Sequence, residues 1–169
     1  MKRKLLFILT IGITCLFTAC ANKNTPNNNG EEETNYVDLG LPSGTLWKNA
    51  NEINAQKEYN LFTFDEAVNA FGYDLPTKEQ WQELIDECTW SWTFGGYKII
   101  GPNHNYIILP GDGRYDCDGG YKNKTGDGDY WSAVSDEGNG AYGCSFDSGT
   151  TGDISWYFVC DGLSVRLVR

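Results

Sequence analysis

Histidine is almost missing from this sequence, with His104 the only one present. That excludes metal centres built on several imidazoles. It also leaves one residue to serve as the base of any serine or cysteine triad, in a stretch, "GPNHN", that reads as a turn. Basic residues are scarce too: lysine and arginine total 13 against 23 aspartates and glutamates, and Lys2, Arg3 and Lys4 belong to the extreme N-terminus. Without those three the balance is 10 against 23, a formal charge of −13. A chain with no basic stripe has nothing with which to displace counterions from a phosphate backbone, so DNA and RNA are not expected partners. There is no GxSxG elbow, no HExxH, no phosphate-cradling glycine loop and no CxxC pair. Serine-hydrolase, zinc-protease, nucleotide-binding and zinc-ribbon chemistry therefore have no motif to stand on. No catalytic residue, metal-ligand set or cofactor is singled out, and a non-enzyme is expected.

Long apolar runs are missing apart from one. Leu5 to Thr18 follow the basic start and lead through small Ala19 to Cys20, the order of a secretory signal peptide. Fourteen helical residues reach only about 21 Å, short of a bilayer core of roughly 30 Å, so removal is expected rather than a membrane span. "LFTAC" resembles the lipobox of bacterial lipoproteins, which implies a signal peptide over 1–19 and lipidation of Cys20. Residues 21 to 35, "ANKNTPNNNGEEETN", contain no aromatic or branched aliphatic side chain and read as a disordered tether. The expected location is the outer membrane or cell surface, lipid-anchored. Residues 36–169 then form one domain.

In an oxidising compartment the remaining Cys88, Cys117, Cys144 and Cys160 make one or two disulfides plausible, with pairing open. Cys88 also falls on the apolar face of a helix, where a buried thiol is equally natural. Two helices are legible. "TFDEAVNAF" has Thr63 three residues before Glu66, and "LPTKEQWQELIDECTW" has Thr77 before Gln80, both capping boxes. In the second, Trp81, Leu84, Ile85 and Cys88 recur at helical spacing as a core stripe. The period then changes to 2. "TWSWTF" puts Trp90, Trp92 and Phe94 on one face, the glycines Gly95 and Gly96 turn into "YKII", and "NYIIL" reads as a strand buried on both sides. "YWSAV", "AYGCSF", "ISWYFVC" and "LSVRLV" follow, divided by turn-forming residues. Helices first and antiparallel strands later predict an α+β domain.

Several segments carry a family resemblance: "YVDLGLPSGTLW", "LPTKEQWQELIDECTWSW", "GYKIIGPN", "IILPGDG", "YWSA" and "GLSVRLVR". In that order they resemble the Fibrobacter succinogenes major paralogous domain family, whose members resemble Bacteroidota lipoproteins and look related to C-type lectin-like folds. The resemblance implies two helices packed on a twisted antiparallel sheet, N- and C-terminal strands paired, and a long Gly/Asp-rich loop region projecting for ligand recognition. The stretch from Gly111 to Trp131 would be that region. Arg166, in the terminal motif, is expected to be partly buried and paired with a carboxylate such as Asp38.

Asp112, Asp116, Asp118, Asp127 and Asp129 could supply several of the six to eight oxygens that calcium takes, but an EF-hand register puts Arg114 at the first ligand position. Tyr115, Tyr121 and Tyr130 could stack on sugar rings or contact a protein. The candidate ligand-binding residues are therefore Tyr115, Tyr121, Tyr130, Asp127 and Asp129, and the leading function is a noncatalytic surface binding module for a glycan or protein ligand. The alternatives are a structural or assembly component of a surface appendage, or an enzyme related to formylglycine-generating enzymes, for which Cys144 and Cys160 are the thiols to inspect.

Overall fold

The computed structural model describes residues 35–57, 59–122, 126–136 and 138–169. The expected signal peptide, Cys20 and most of the tether lie outside them. Both helices begin where the capping boxes put them. The Thr63 hydroxyl accepts the Glu66 N–H while the Glu66 carboxylate accepts the Thr63 N–H, and Thr77 and Gln80 repeat the exchange. These caps open α1 (Phe64–Phe71) and α2 (Lys78–Glu87), with a 3-10 turn at Gly72–Asp74 between them. The stripe on α2 buries Trp81 and Leu84, and Cys88 caps its C-terminus against the same core. Burial pushes the Cys88 thiol up to about 11. Among the described residues no helix is long and apolar enough to cross a membrane.

The rest is strand. β1 (Tyr36–Asp38) pairs with β2 (Leu46–Lys48). β3 (Thr89–Thr93), β4 (Gly96–Ile100) and β5 (Tyr106–Pro110) form an antiparallel meander. β6 (Arg114–Tyr115) and β7 (Tyr121–Lys122) make a small hairpin. β8 (Gly128–Ser135), β9 (Gly140–Asp147) and β10 (Thr150–Phe158) form a second meander, with β9 in the centre. α2 packs on this last sheet. Adjacent residues on β8 point to opposite faces, so Tyr130 enters a core shared with α2 and the β3–β5 sheet. Trp131 enters a second core with Phe64, Tyr157 and Val165.

This architecture corrects the expected one. The described residues are mostly β, their strands are divided among several small sheets, and the helices α1 and α2 have only 8 and 10 residues. The C-type lectin-like arrangement of two helices packed on one twisted sheet is not the fold observed. Nor do the terminal strands pair with each other: β1 takes β2 as its partner, and the C-terminal segment bonds to β2 instead, through Lys48 N–H to Leu167 O and an exchange between Leu46 and Arg169. Period-2 alternation reports that a segment is extended and which residues share a face. It carries no information on which strand lies alongside. Two local expectations change as well. Phe94 sits fully exposed at the β3–β4 turn, and β5 buries Ile107 and Leu109 but exposes Tyr106 and Ile108.

The segment from Gly162 to Arg169 ties these sheets together. Its backbone pairs in turn with Tyr115, Phe62, the β8 strand at Asp129 and Trp131, Glu52, and β2. At its centre Arg166 is 0% exposed. It does not meet Asp38. Its guanidinium donates to Asn51 Oδ1 at 2.9 Å, Lys48 O at 2.7 Å and Ile108 O at 2.7 Å. Burial lowers its pKa, against the opposing influence of Tyr130, Glu52 and Asp112. A buried charge is tolerable only when its donors are engaged, and here three neutral acceptors, two from residues 48–51 and one from β5, engage them. Arg166→Ala leaves the Lys48 and Ile108 carbonyls without their buried donors. A loss of about 3–5 kcal/mol is expected in urea unfolding. Arg166→Lys, a point charge without the fork, recovers only part of it.

Candidate functional site

The Gly/Asp-rich stretch folds because its polar groups serve its own turn. Asp118 Oδ1 accepts the Gly120 N–H at 2.9 Å, Gly119 adopts a φ of 79°, and the turn closes the β6–β7 hairpin. Cys117, inside this turn, is disulfide-bonded to Cys160 just beyond β10, with Cα atoms 5.0 Å apart. Cys88 and Cys144 are free thiols. The disulfide holds the hairpin over one face of the β8–β10 sheet and leaves a cleft of about 670 Å³ between them.

Strand register supplies the floor. Asp129 lies opposite Ser145 across β8 and β9, and the Ser145 and Ser155 hydroxyls meet at 3.1 Å. Tyr157, on the same face of β10 as Ser155, donates its hydroxyl to Asp129 Oδ1. From the hairpin, Arg114 donates to Asp116 Oδ1 at 3.2 Å and to Asp129 Oδ2 at 3.4 Å. Lys122 reaches the other oxygen of Asp116 at 3.2 Å. Asp118 and Asp161 also line it, as do Trp156 and Phe158 at the edge of β10.

The electrostatics follow from this packing. Burial raises the Asp129 pKa, and the Tyr157 hydroxyl and Arg114 act against that rise. For Arg114 burial works downward, but the Asp129 and Asp116 carboxylates outweigh it and the guanidinium is raised. Burial and the Asp129 charge raise the Tyr157 phenol. The cleft thus holds four carboxylates, Asp116, Asp118, Asp129 and Asp161, against the one guanidinium in its lining, with every charged group already oriented by a neighbour.

Of the residues expected at a site, Asp129 lines this cleft, and Asp127 lines an adjoining depression with Arg114 and Asp153. The tyrosines do not form one exposed face. Tyr130 is 0% exposed, stacked against Phe146, its hydroxyl donating to Pro110 O at 2.6 Å. Tyr115 and Tyr121 gather with Tyr59, whose ring stacks on Tyr121 at 4.1 Å. The five aspartates do not converge on one point either. Asp112 accepts from Asn51, Asp116 pairs with Arg114 and Lys122, Asp118 caps its turn, and Asp129 joins Tyr157. Among the described residues no group of three or more acidic, histidine or cysteine side chains is arranged around a common metal position. Cys144 and Cys160 are not together: Cys144 is buried in the core with its thiol pushed up by burial, the opposite of an activated thiolate. Arg114, Tyr157, Asp161 and the paired serines were not singled out from the sequence. Alternation in "ISWYF" does put Ser155 and Tyr157 on one face, which was the available signal.

The opposite face of β10 carries an aromatic surface. Trp156 and Phe158 lie edge to face with centroids 4.7 Å apart. The Trp156 indole N–H donates to Asp136 Oδ2 at 2.8 Å, and Asp136 Oδ1 accepts the N–H groups of Gly138 and Gly140. The indole lies across Gly140, where a Cβ would sit 2.0 Å from its Cε2 and Nε1. No family model, curated protein or solved structure matches this chain.

Two tests follow from this geometry. The disulfide closes a sequence separation of 43, so reduction, or Cys117→Ser with Cys160→Ser, should lower stability to denaturant by about 2–4 kcal/mol. Asp136 has a depressed pKa, first through the Trp156 indole and then through the Gly138 N–H. A carboxylate depressed in the folded state contributes fully above its ordinary value of 3.8 and loses that contribution as pH falls through the lowered one. The Trp156 indole N–H resonance should accordingly titrate with a midpoint below 3.8.

Proposed function

We propose that this chain is a noncatalytic, lipid-anchored envelope protein of the family its linear motifs resemble, and that its folded domain binds glycans in the cleft under the β6–β7 hairpin. One observation carries the reading: a formed cleft of about 670 Å³ whose lining is rich in pre-oriented hydrogen-bonding groups. Sugars present many hydroxyls, each both donor and acceptor. Arg114, the Ser145 and Ser155 hydroxyls, and the carboxylates of Asp118 and Asp161 match that alternation. The excess of carboxylates repels anions, which favours neutral or amine-bearing sugars over uronates and sulfated chains.

The chemistry supports binding over turnover. The Ser145 and Ser155 hydroxyls meet each other, and Asp129 is engaged by Tyr157 and Arg114. His104 lies in the turn between β4 and β5 with its backbone at φ 71°. The anchor at Cys20 and the tether belong to this proposal on their sequence alone, and would hold the domain at the outer membrane or cell surface.

Isothermal titration with cellohexaose, xylohexaose, mannohexaose and chitohexaose tests the cleft. At least one neutral hexasaccharide should bind, a polyuronate of equal length should not, and Arg114→Ala should weaken binding by about tenfold or more, the loss of a charge-assisted hydrogen bond. Absence of binding across the neutral set, or affinity indifferent to Arg114→Ala with the fold intact by circular dichroism, overturns the cleft as a glycan site.

A further inference from the structure

β10 is an outer strand of its sheet, and its two faces carry different chemistry. Ser155 and Tyr157 face the cleft. Trp156 and Phe158 stand on the other face, 43% and 51% exposed. Two large rings, each about half exposed, stand side by side as a small apolar patch. These rings are also held in place. Asp136 fixes the indole N–H, the missing side chain at Gly140 gives the indole a flat seat, and Phe158 meets it edge on. Tyr142, paired with Trp156 across the strands, already has the Lys78 ammonium over its ring at 3.8 Å. The open part of the surface is therefore Trp156 and Phe158, with Lys78 and Asp136 near its rim.

Area decides what can sit there. A large aromatic side chain buries about 150–250 Å² in full, so two rings at roughly half exposure offer about 200 Å². A stable protein partner needs about 800 Å² on each side. One sugar ring needs far less. With the indole N–H already bonded to Asp136, the exposed remainder of the ring is apolar and suits the C–H face of a pyranose, whose outward hydroxyls can reach the charged rim.

We propose that Trp156 and Phe158 form a stacking platform for a pyranose ring, a sugar subsite on the face of β10 opposite Ser155 and Tyr157. The assignment rests on the glycan-binding function above; Trp156 and Phe158 also border the cleft, but their rings lie on the other face of β10 from Ser155 and Tyr157, so the Trp156 and Arg114 variants let the two fail separately. β-Linked glucose, with all ring hydroxyls equatorial, presents the flattest C–H face, which makes cellohexaose the first probe.

The experiment is saturation-transfer NMR and titration of the full chain with cellohexaose and the three other neutral hexasaccharides. Trp156→Ala, Phe158→Ala, Trp156→Phe and Arg114→Ala are compared, each checked for an unchanged melting transition. The platform predicts magnetisation transfer onto sugar ring C–H protons, a loss of affinity of about tenfold in Trp156→Ala, and a smaller loss in Trp156→Phe, which keeps a ring. Affinity unchanged in both Trp156→Ala and Phe158→Ala overturns the platform, and if Arg114→Ala alone weakens binding the cleft survives without it. Affinity lost in Trp156→Ala but not in Arg114→Ala keeps the platform and removes the cleft. No binding by any hexasaccharide overturns both. A concentration-dependent dimer in sedimentation that Trp156→Ala abolishes assigns the rings to a second copy of the chain and overturns the sugar subsite.

Discussion

The Arg166 guanidinium, sealed from water and shared among Lys48 O, Ile108 O and the Asn51 side chain, is the interaction from which the rest of this domain can be understood. None of the small sheets is large enough to be stable alone: a two-stranded hairpin is marginal, and even the three-stranded meanders need a covered face. The terminal segment supplies the missing cohesion by lying across them, and Arg166 locks its middle. Asn51 extends the lock, since its amide also reaches the Tyr130 hydroxyl and Asp112. One buried charge thereby connects the edge of β2, the β5 strand, the core tyrosine of β8 and the base of the β6–β7 region.

The cleft inherits its shape from that framework. Its floor is strand, rigid and set by register, and its roof is a hairpin pinned by a disulfide and by an arginine bridging two carboxylates. Most of the aspartates that draw the eye in the sequence act on their own backbone or on Arg114. What remains for a ligand is a lining whose directions are already fixed, which lowers the ordering that binding would otherwise demand.

How much of this was written in the sequence depends on the range of the interaction. Thr63 with Glu66 and Thr77 with Gln80 act over three residues, and both helices start where those pairs say. Trp81 and Leu84 lie one turn apart on a single face, and both are buried. Strand partners are another matter. "LSVRLV" was legible as an extended segment that carries a guarded arginine, but its attachment to β2 in place of β1 depends on residues more than a hundred positions away. The same distance effect hid the site. Tyr130 looks like Tyr115 and Tyr121 in a polar loop, yet it is the third residue of a strand whose phase directs it to the core. Trp156 looks like any strand tryptophan until Gly140 and Asp136, from the neighbouring strand and its loop, are seen to hold it outward.

The two ends of the domain also touch. Arg169 exchanges both backbone bonds with Leu46, and its guanidinium lies 4.5 Å from the centroid of the Tyr36 ring, beside the strand where the described chain begins. Tension applied between these ends would fall first on the few bonds around β2, outside the disulfide-closed loop. The same terminal segment goes on to pair with Asp129 and Tyr115, so a pull that breaks the β2 bonds passes next to the strand and hairpin that frame the cleft.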